Sequence, residues 1–194
     1  MKRWIYLVLP VLLCCKGKKE SEESGSFPVL AIIQSQVKQV DTSLTAIKRI
    51  VTIDSTADTT YLKREEFRNL AADFLTLPDI TQKNLKNRYV ETRMYDNALK
   101  SVVLDYSPKD TSLEIQREIV TIDPEKGADT TAGNQVKEIY ISQVLRKGNS
   151  TVEKKLFWVM NSHFQVVEIT QEGNGPEKVK KTEVIWNNFD APNR

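Results

Sequence analysis

The chain has 194 residues, of which 40% are hydrophobic and 28% are charged, with 28 Lys and Arg residues against 26 Asp and Glu residues. This length suits one domain, and the composition is that of a globular protein, which excludes a disordered, collagen-like or coiled-coil chain. Two cysteines and one histidine exclude a disulfide framework across the body and leave few ligands for a metal site.

The first residues predict an export signal. Lys2 and Arg3 precede a run of ten apolar residues, 4–13, which ends at Cys14 and Cys15, the two cysteines of the chain. A membrane-spanning helix needs about 20 apolar residues, so this run is too short to be a permanent anchor.

Residues 1–15 resemble the signal of bacterial lipoproteins, in which an apolar run, often with leucine three places before the cleavage point, leads through a small residue to an invariant cysteine. Leu12, Leu13, Cys14 and Cys15 fit this pattern if Cys14 is the small residue and Cys15 carries the lipid. Lipidation of Cys14, or a plain secretory signal, are the alternatives. The resemblance implies a diacylglycerol and an N-acyl chain on Cys15, and two or more chains anchor a protein stably.

The segment 16–26 is predicted to be a disordered tether. It has no large apolar side chain, and its three lysines balance its three glutamates, so it cannot bury surface. The signal peptide is then 1–14, the lipidated cysteine with its tether 15–26, and one domain 27–194. Because Lys16 follows the proposed lipid site, the resemblance to enterobacterial lipoproteins implies an envelope protein delivered to the outer membrane, with the membrane as a partner through the anchor.

The charge of the mature chain argues against nucleic acid as a partner. Removal of residues 1–14 leaves 26 basic residues against 26 acidic ones, a net charge of zero. Nucleic-acid-binding domains typically carry a basic patch or an excess of positive charge.

Two helices are predicted in the first part of the domain. Pro28 suits a helix start, and a stripe of apolar residues with spacings of three and four follows it: Val29, Ile32, Ile33, Val37 and Val40. Residues 44–53 then alternate and predict a strand. A second helix is predicted over residues 63–75, with Pro78 beyond its end.

From Tyr89 onward, short β-rich runs alternate with turns. They predict seven strands, at residues 89–95, 99–106, 113–123, 136–145, 151–160, 164–170 and 179–186, with Gly148 and Asn149 in a tight hairpin. The predicted fold is therefore α+β, with N-terminal helices packed on a curved antiparallel β-meander of about six to eight strands.

One internal echo invites a metal-site interpretation. Residues 50–54 and 57–60 are repeated at 119–123 and 128–131, and each copy resembles a strand that runs into an acidic turn. The aspartates of the two copies would be the oxygen ligands: Asp54, Asp58, Asp123 and Asp129. The spacing lacks the alternating ligands of a calcium loop, and Asp and Thr are common in turns, so we predict no metal.

Catalytic motifs are missing from the sequence. None of the common nucleophile, phosphate-binding, dinucleotide-binding or zinc-protease motifs occurs, and the single histidine, His163, falls in a predicted solvated hairpin turn. We therefore predict no enzymatic activity, no catalytic residue and no cofactor. A hydrolase with two carboxylates is a third hypothesis without support from particular residues.

Two functional hypotheses lead. The first is a non-enzymatic lipoprotein of the bacterial envelope that serves as a binding or assembly module for an envelope protein. The second is a carrier of a lipid or another apolar ligand, held in a half-barrel cavity of several hundred Å³ between helices and sheet. The candidate ligand-binding residues of that cavity are Trp158, Leu156, Phe74 and Ile33.

Overall fold

The computed structural model describes residues 26–125 and 135–187. The nine strands in these residues form one antiparallel sheet, in the order β2-β1-β9-β8-β7-β6-β5-β4-β3. Their bounds are β1 Ile47–Ile53, β2 Thr56–Leu62, β3 Tyr89–Asp96, β4 Ser101–Pro108, β5 Ile115–Ile122, β6 Val136–Lys147, β7 Ser150–Val159, β8 His163–Glu172 and β9 Lys178–Ile185. With its few short helices the fold is mostly β and partly α+β. The predicted combination of N-terminal helices with an antiparallel sheet is therefore present.

All seven strands predicted from Tyr89 onward are present, as β3 to β9. The two-residue turn of Gly148 and Asn149 joins β6 to β7, and Gly148 has φ 59°. Glycine occupies this left-handed conformation without steric cost, which explains why the predicted hairpin forms there.

Strand β2 corrects the predicted number of strands. The sequence of residues 54–60 predicts an acidic turn, but the turn is confined to the residues between β1 and β2, with Asp54 at φ 54°. The chain then returns as Thr56–Leu62, paired with β1 from Ile47↔Leu62 to Ile53↔Thr56. The described sheet therefore has nine strands where six to eight are predicted.

The first helix matches its prediction and the second does not. Helix α1 (Val29–Asp41) buries all five residues of the predicted stripe. Residues 63–75 form a 3-10 turn (Arg64–Glu66), α2 (Phe67–Leu70) and α3 (Ala72–Leu75). At Ala71 the backbone leaves the helical region, with φ −80° and ψ 2°, so the predicted continuous helix is broken there.

Strand alternation gives the sheet two faces. The covered face is the one on which Phe67 of α2 and Phe74 of α3 meet Trp158 and Phe164 of the sheet. The outer face carries the intervening residues, among them Phe157 of β7. The core lies between the helices and the covered face.

The predicted signal, Cys15 and nearly all of the predicted tether fall in residues 1–25, outside the described residues. Asp129, in the second copy of the echo, lies outside them as well. The lipid anchor and the division of the chain at residues 14 and 26 therefore stay predictions.

Candidate functional site

The four residues predicted to bind an apolar ligand lie in the core. Ile33, Phe74, Leu156 and Trp158 are all fully buried. The rings of Phe74 and Trp158 meet edge to face, with centroids 5.0 Å apart and an interplanar angle of 82°, a favourable aromatic geometry. These side chains pack against protein.

An aromatic cluster surrounds Trp158. It gathers side chains from α2, α3, β7, β8 and the residue after β9: Phe67, Phe74, Trp158, Phe164 and Trp186. The indole Nε1 of Trp158 is buried without a hydrogen-bond acceptor. The cluster holds the helices on the sheet mainly through apolar burial and ring–ring contacts.

A small pocket borders this cluster and contains two acidic side chains. The Glu118 pocket, as we name it, has a cavity volume of about 10 Å³, room for one water molecule. Its walls are the side chains of Phe27, Val29, Leu30, Ile33, Phe74, Leu77, Pro78, Asp79, Ile80, Glu118 and Ile141. Ile33 and Phe74 thus border a space far smaller than an acyl chain, and Trp158 and Leu156 do not line it.

Glu118 is the least expected residue of the core. It is 4% exposed, and its Oε1 has no hydrogen-bond partner. Burial, and next the nearby negative charge of Asp79, raise the pKa of Glu118 to about 8. A carboxylic acid in such surroundings is protonated at neutral pH.

Two buried tyrosines flank Glu118 but do not bond to its Oε1. Tyr106 lies directly opposite Glu118 on β4, and its hydroxyl accepts the N–H of Phe27 at 3.1 Å. The Tyr89 hydroxyl donates to the carbonyl of Ile115 at 3.2 Å. Burial raises the pKa of both tyrosines to about 12.

The sequence contained a signal for Glu118 that the motif search missed. Glu118, Val120 and Ile122 follow one another at a spacing of two in β5, and residues at that spacing point to the same face of a sheet. The irregular register between Ile115 and Arg117 also brings Ile115 into the core, where it is 1% exposed.

The outer face has an apolar centre. The rings of Tyr140 and Phe157 lie 4.8 Å apart, and Phe157 is 37% exposed. The cross-strand pairs Ile119↔Tyr140 and Val103↔Thr121 extend this centre across β5 and β4. On the other side the pairing of Lys155 with Val167 extends it to β8.

Three basic side chains around this centre are each paired with a carboxylate. Arg117 bonds Asp105 at 2.6 Å, and Lys155 approaches Glu153 at 3.6 Å. On β9, Lys181 approaches Glu183 at 3.6 Å, and Glu183 is 6% exposed. The outer face therefore offers apolar side chains next to basic groups that already have a carboxylate partner.

A polar cleft lies where α2 and α3 meet β8 and β9. Its volume is about 200 Å³, and its walls are Asn69, Leu70, Asp73, Val166, Glu168, Lys180 and Thr182. Beside it Lys154 bonds Asp73 at 2.7 Å and Glu168 at 3.4 Å. Burial opposes the charge of Lys154, but the two carboxylates outweigh it and raise its pKa.

His163 is not in a hairpin turn, contrary to the sequence prediction. It begins β8 and pairs with Ile185 of β9, because the turn occupies the residues before it. Its Nδ1 lies 3.0 Å from the Ser162 hydroxyl, and burial lowers the pKa of His163. No carboxylate bonds the ring among the described residues.

The aspartates of the internal echo do not converge. Asp54 lies in the turn before β2 and Asp58 within β2, whereas Asp123 follows β5 and approaches Lys137 at 3.9 Å. Within residues 26–125 and 135–187, no three His, Cys, Asp or Glu side chains form a group that could hold a metal ion.

No protein-family model matches the chain, and no curated protein matches it either. In the part of the chain that the structure describes, no helix is long and apolar enough to cross a membrane.

Proposed function

We propose that this chain is a lipid-anchored lipoprotein of the bacterial envelope that acts, without enzymatic activity, as a binding or assembly module. In this proposal Cys15 carries the lipid, residues 16–26 form the tether, and the outer membrane is the site of delivery. The sequence of residues 1–26 supports the anchor. A fold that begins near residue 27 is consistent with this proposal, since the Phe27 amide donates a hydrogen bond to the Tyr106 hydroxyl.

The observation that carries the binding role is the outer face. Phe157 is 37% exposed at its centre, and its ring packs on that of Tyr140. Apolar patches bordered by polar residues are typical of protein–protein contacts. Because the three basic side chains around this centre have carboxylate partners within the chain, as in Arg117 with Asp105, the occupant that fits is an envelope protein with an apolar, uncharged contact surface.

The same pairing argues against an anionic partner. Nucleic acid or an anionic lipid surface would need unpaired basic side chains, but Lys155 and Lys181 are each next to a glutamate. The zero net charge of the proposed mature chain points the same way.

The apolar-ligand carrier is the weaker proposal. It requires the helices to lie in the hollow of a curved sheet and to leave an open interior, as in half-barrel carriers. The Glu118 pocket holds about 10 Å³, and the aromatic cluster fills the space around Trp158. An acyl chain would have to displace Phe74 or Ile33 from the core, at a cost of several kcal/mol.

Two cysteine variants test the anchor. Cys15→Ser is expected to abolish the incorporation of labelled palmitate and to release the chain from the membrane fraction, whereas Cys14→Ser, the matched control, is expected to keep both. Labelling that follows Cys14 would move the lipid site by one residue. Unchanged labelling and fractionation in both variants would remove the anchor from the proposal.

A photo-crosslinking side chain at Phe157 tests the outer face in intact cells. We expect one adduct of defined mass with a second protein, lost when Tyr140→Glu places a charge in the same patch. Leu44→Glu, at an apolar side chain that is 94% exposed elsewhere, is the control and should keep the adduct. The absence of an adduct, or an adduct of two copies of this chain, would contradict the proposed partner.

A further inference from the structure

Glu118 is a buried acid for which the proposed function has no use. Its carboxyl is 4% exposed, and Oε1 lines the core without a hydrogen-bond partner. A buried polar atom without a partner is unfavourable relative to one that is satisfied. A folded protein tolerates such an atom where it contacts something from outside the chain, such as a water molecule or a ligand.

No positive charge of the described chain satisfies this group. None of its ion pairs includes Glu118, and the charged neighbour that acts most strongly on the carboxyl is another acid, Asp79. The Asp79 Oδ1 is already engaged by the amide and hydroxyl of Thr81, at 2.9 and 2.7 Å. Two acids therefore share one pocket, and a cation there would offset the repulsion between their ionised forms.

The dimensions of the pocket select the kind of cation. Its cavity of about 10 Å³ accepts a group the size of water, which an ammonium group is and a planar guanidinium is not. Two carboxylates offer too few ligands for a buried divalent metal, and no group of three candidate ligands exists among the described residues. The cavity has no room for the alkyl chain as well, which would stay outside it and contact the half-buried side chains of Phe27 and Leu30 at its edge.

We propose that the Glu118 pocket binds the ammonium group of a primary alkylamine, with the nitrogen inside the pocket at the Glu118 carboxylate beside Asp79 and the alkyl chain outside the cavity, against Phe27. Binding moves the proton of the neutral Glu118 carboxyl to solvent, and the resulting carboxylate accepts N–H bonds from the ammonium group.

Calorimetric titration of the full chain in nonionic detergent with propylammonium chloride tests the proposal. We expect saturable binding that strengthens from about pH 6 to about pH 8, since the carboxyl must lose its proton before it can pair with the ammonium group. Tetramethylammonium chloride, which is larger and has no N–H donor, should give no saturable heat.

Glu118→Gln, which keeps the shape of the side chain but cannot ionise, is expected to weaken binding at least about tenfold, equivalent to about 1.4 kcal/mol. Glu153→Gln on the outer face is the matched control and should bind as the unmodified chain does. If Glu118→Gln does not fold, Asp79→Asn serves as the second variant, with a smaller loss expected because an asparagine oxygen can still accept from Thr81.

Two results would overturn the proposal. One is the absence of saturable binding up to about 100 mM, which would mean that the pocket holds only water. The other is equal affinity in the chain with and without Glu118→Gln. Neither result bears on the outer face, which lies on the opposite side of the sheet.

Discussion

The buried carboxyl of Glu118 makes the stability of the domain depend on pH. Its pKa is raised from 4.5 to about 8 in the folded chain, so between these values the unfolded chain has lost a proton that the folded chain keeps. The free energy of unfolding should therefore fall by about 1.4 kcal/mol per pH unit through this window, from a maximum contribution below it.

Glu118→Gln is expected to remove this slope, and chemical denaturation at pH 5, 6, 7 and 8 measures it. The groups that face Glu118 are Asp79, Tyr89 and Tyr106, and the two tyrosines titrate well above this range. A variant whose stability declines with pH as steeply as that of the unmodified chain would contradict the buried acid.

Phe74 is expected to be among the most sensitive positions of the core. Its ring lies 5.0 Å from that of Trp158 and 5.3 Å from that of Phe164, and it is fully buried. Phe74→Ala should lower the free energy of unfolding by about 3–5 kcal/mol. Leu44→Ala, at a side chain that is 94% exposed, should change it by less than about 0.5 kcal/mol, and equal losses would refute the packing described.

Single residues also show what a sequence can reveal about a site. The spacing of apolar residues was enough to predict that Phe74 and Ile33 face the core, because this direction depends only on helix geometry. Whether inward-facing side chains leave a cavity between them depends on how residues distant in sequence interlock. The small volume of the Glu118 pocket could not be predicted for that reason, although the alternation in β5 could have predicted that Glu118 is buried.

At the level of elements, Lys154 connects α3 to the sheet. Its side chain is 15% exposed and contacts Asp73 of α3 at 2.7 Å and Glu168 of β8 at 3.4 Å. Lys154→Ala leaves both carboxylates without this partner, and we expect thermal unfolding to show a loss of about 1–2 kcal/mol.

The ion pair between Arg68 and Asp41 is the comparison for Lys154. Its distance of 3.1 Å lies between the two distances of Lys154, but the Arg68 side chain is 60% exposed. Arg68→Ala should therefore cost less than about 1 kcal/mol. A larger loss for Arg68→Ala than for Lys154→Ala would show that burial does not govern these pairs.

Most of the strands that could be predicted divide their side chains between a buried and an exposed face. The edge strand β3 is an exception, because five of its eight residues are exposed. β4 to β8 have neighbours on both sides, and their alternation is plain in the sequence. β2 is an edge strand, paired only with β1, and five of its seven residues are exposed. Because β2 buries few side chains, its sequence shows no alternation of apolar and polar residues. Residues Thr56 to Thr60 were therefore interpreted as a turn.

At the level of the whole molecule, the structure separates three regions. The covered face and its helices supply stability through the aromatic cluster around Trp158. The Glu118 pocket lies among the helix-side residues and is lined by Phe27, the residue that follows the proposed tether. The outer face carries Phe157 and Tyr140 away from both, so a partner can be held there without disturbing the core.

The mass of the mature N-terminal peptide, measured on chain extracted from membranes, tests the proposed anchored module most directly. The account predicts a first residue of Cys15 carrying a diacylglycerol and an N-acyl chain, followed by an unmodified Lys16. A mature chain that begins at any other residue, or an unmodified Cys15, would contradict it.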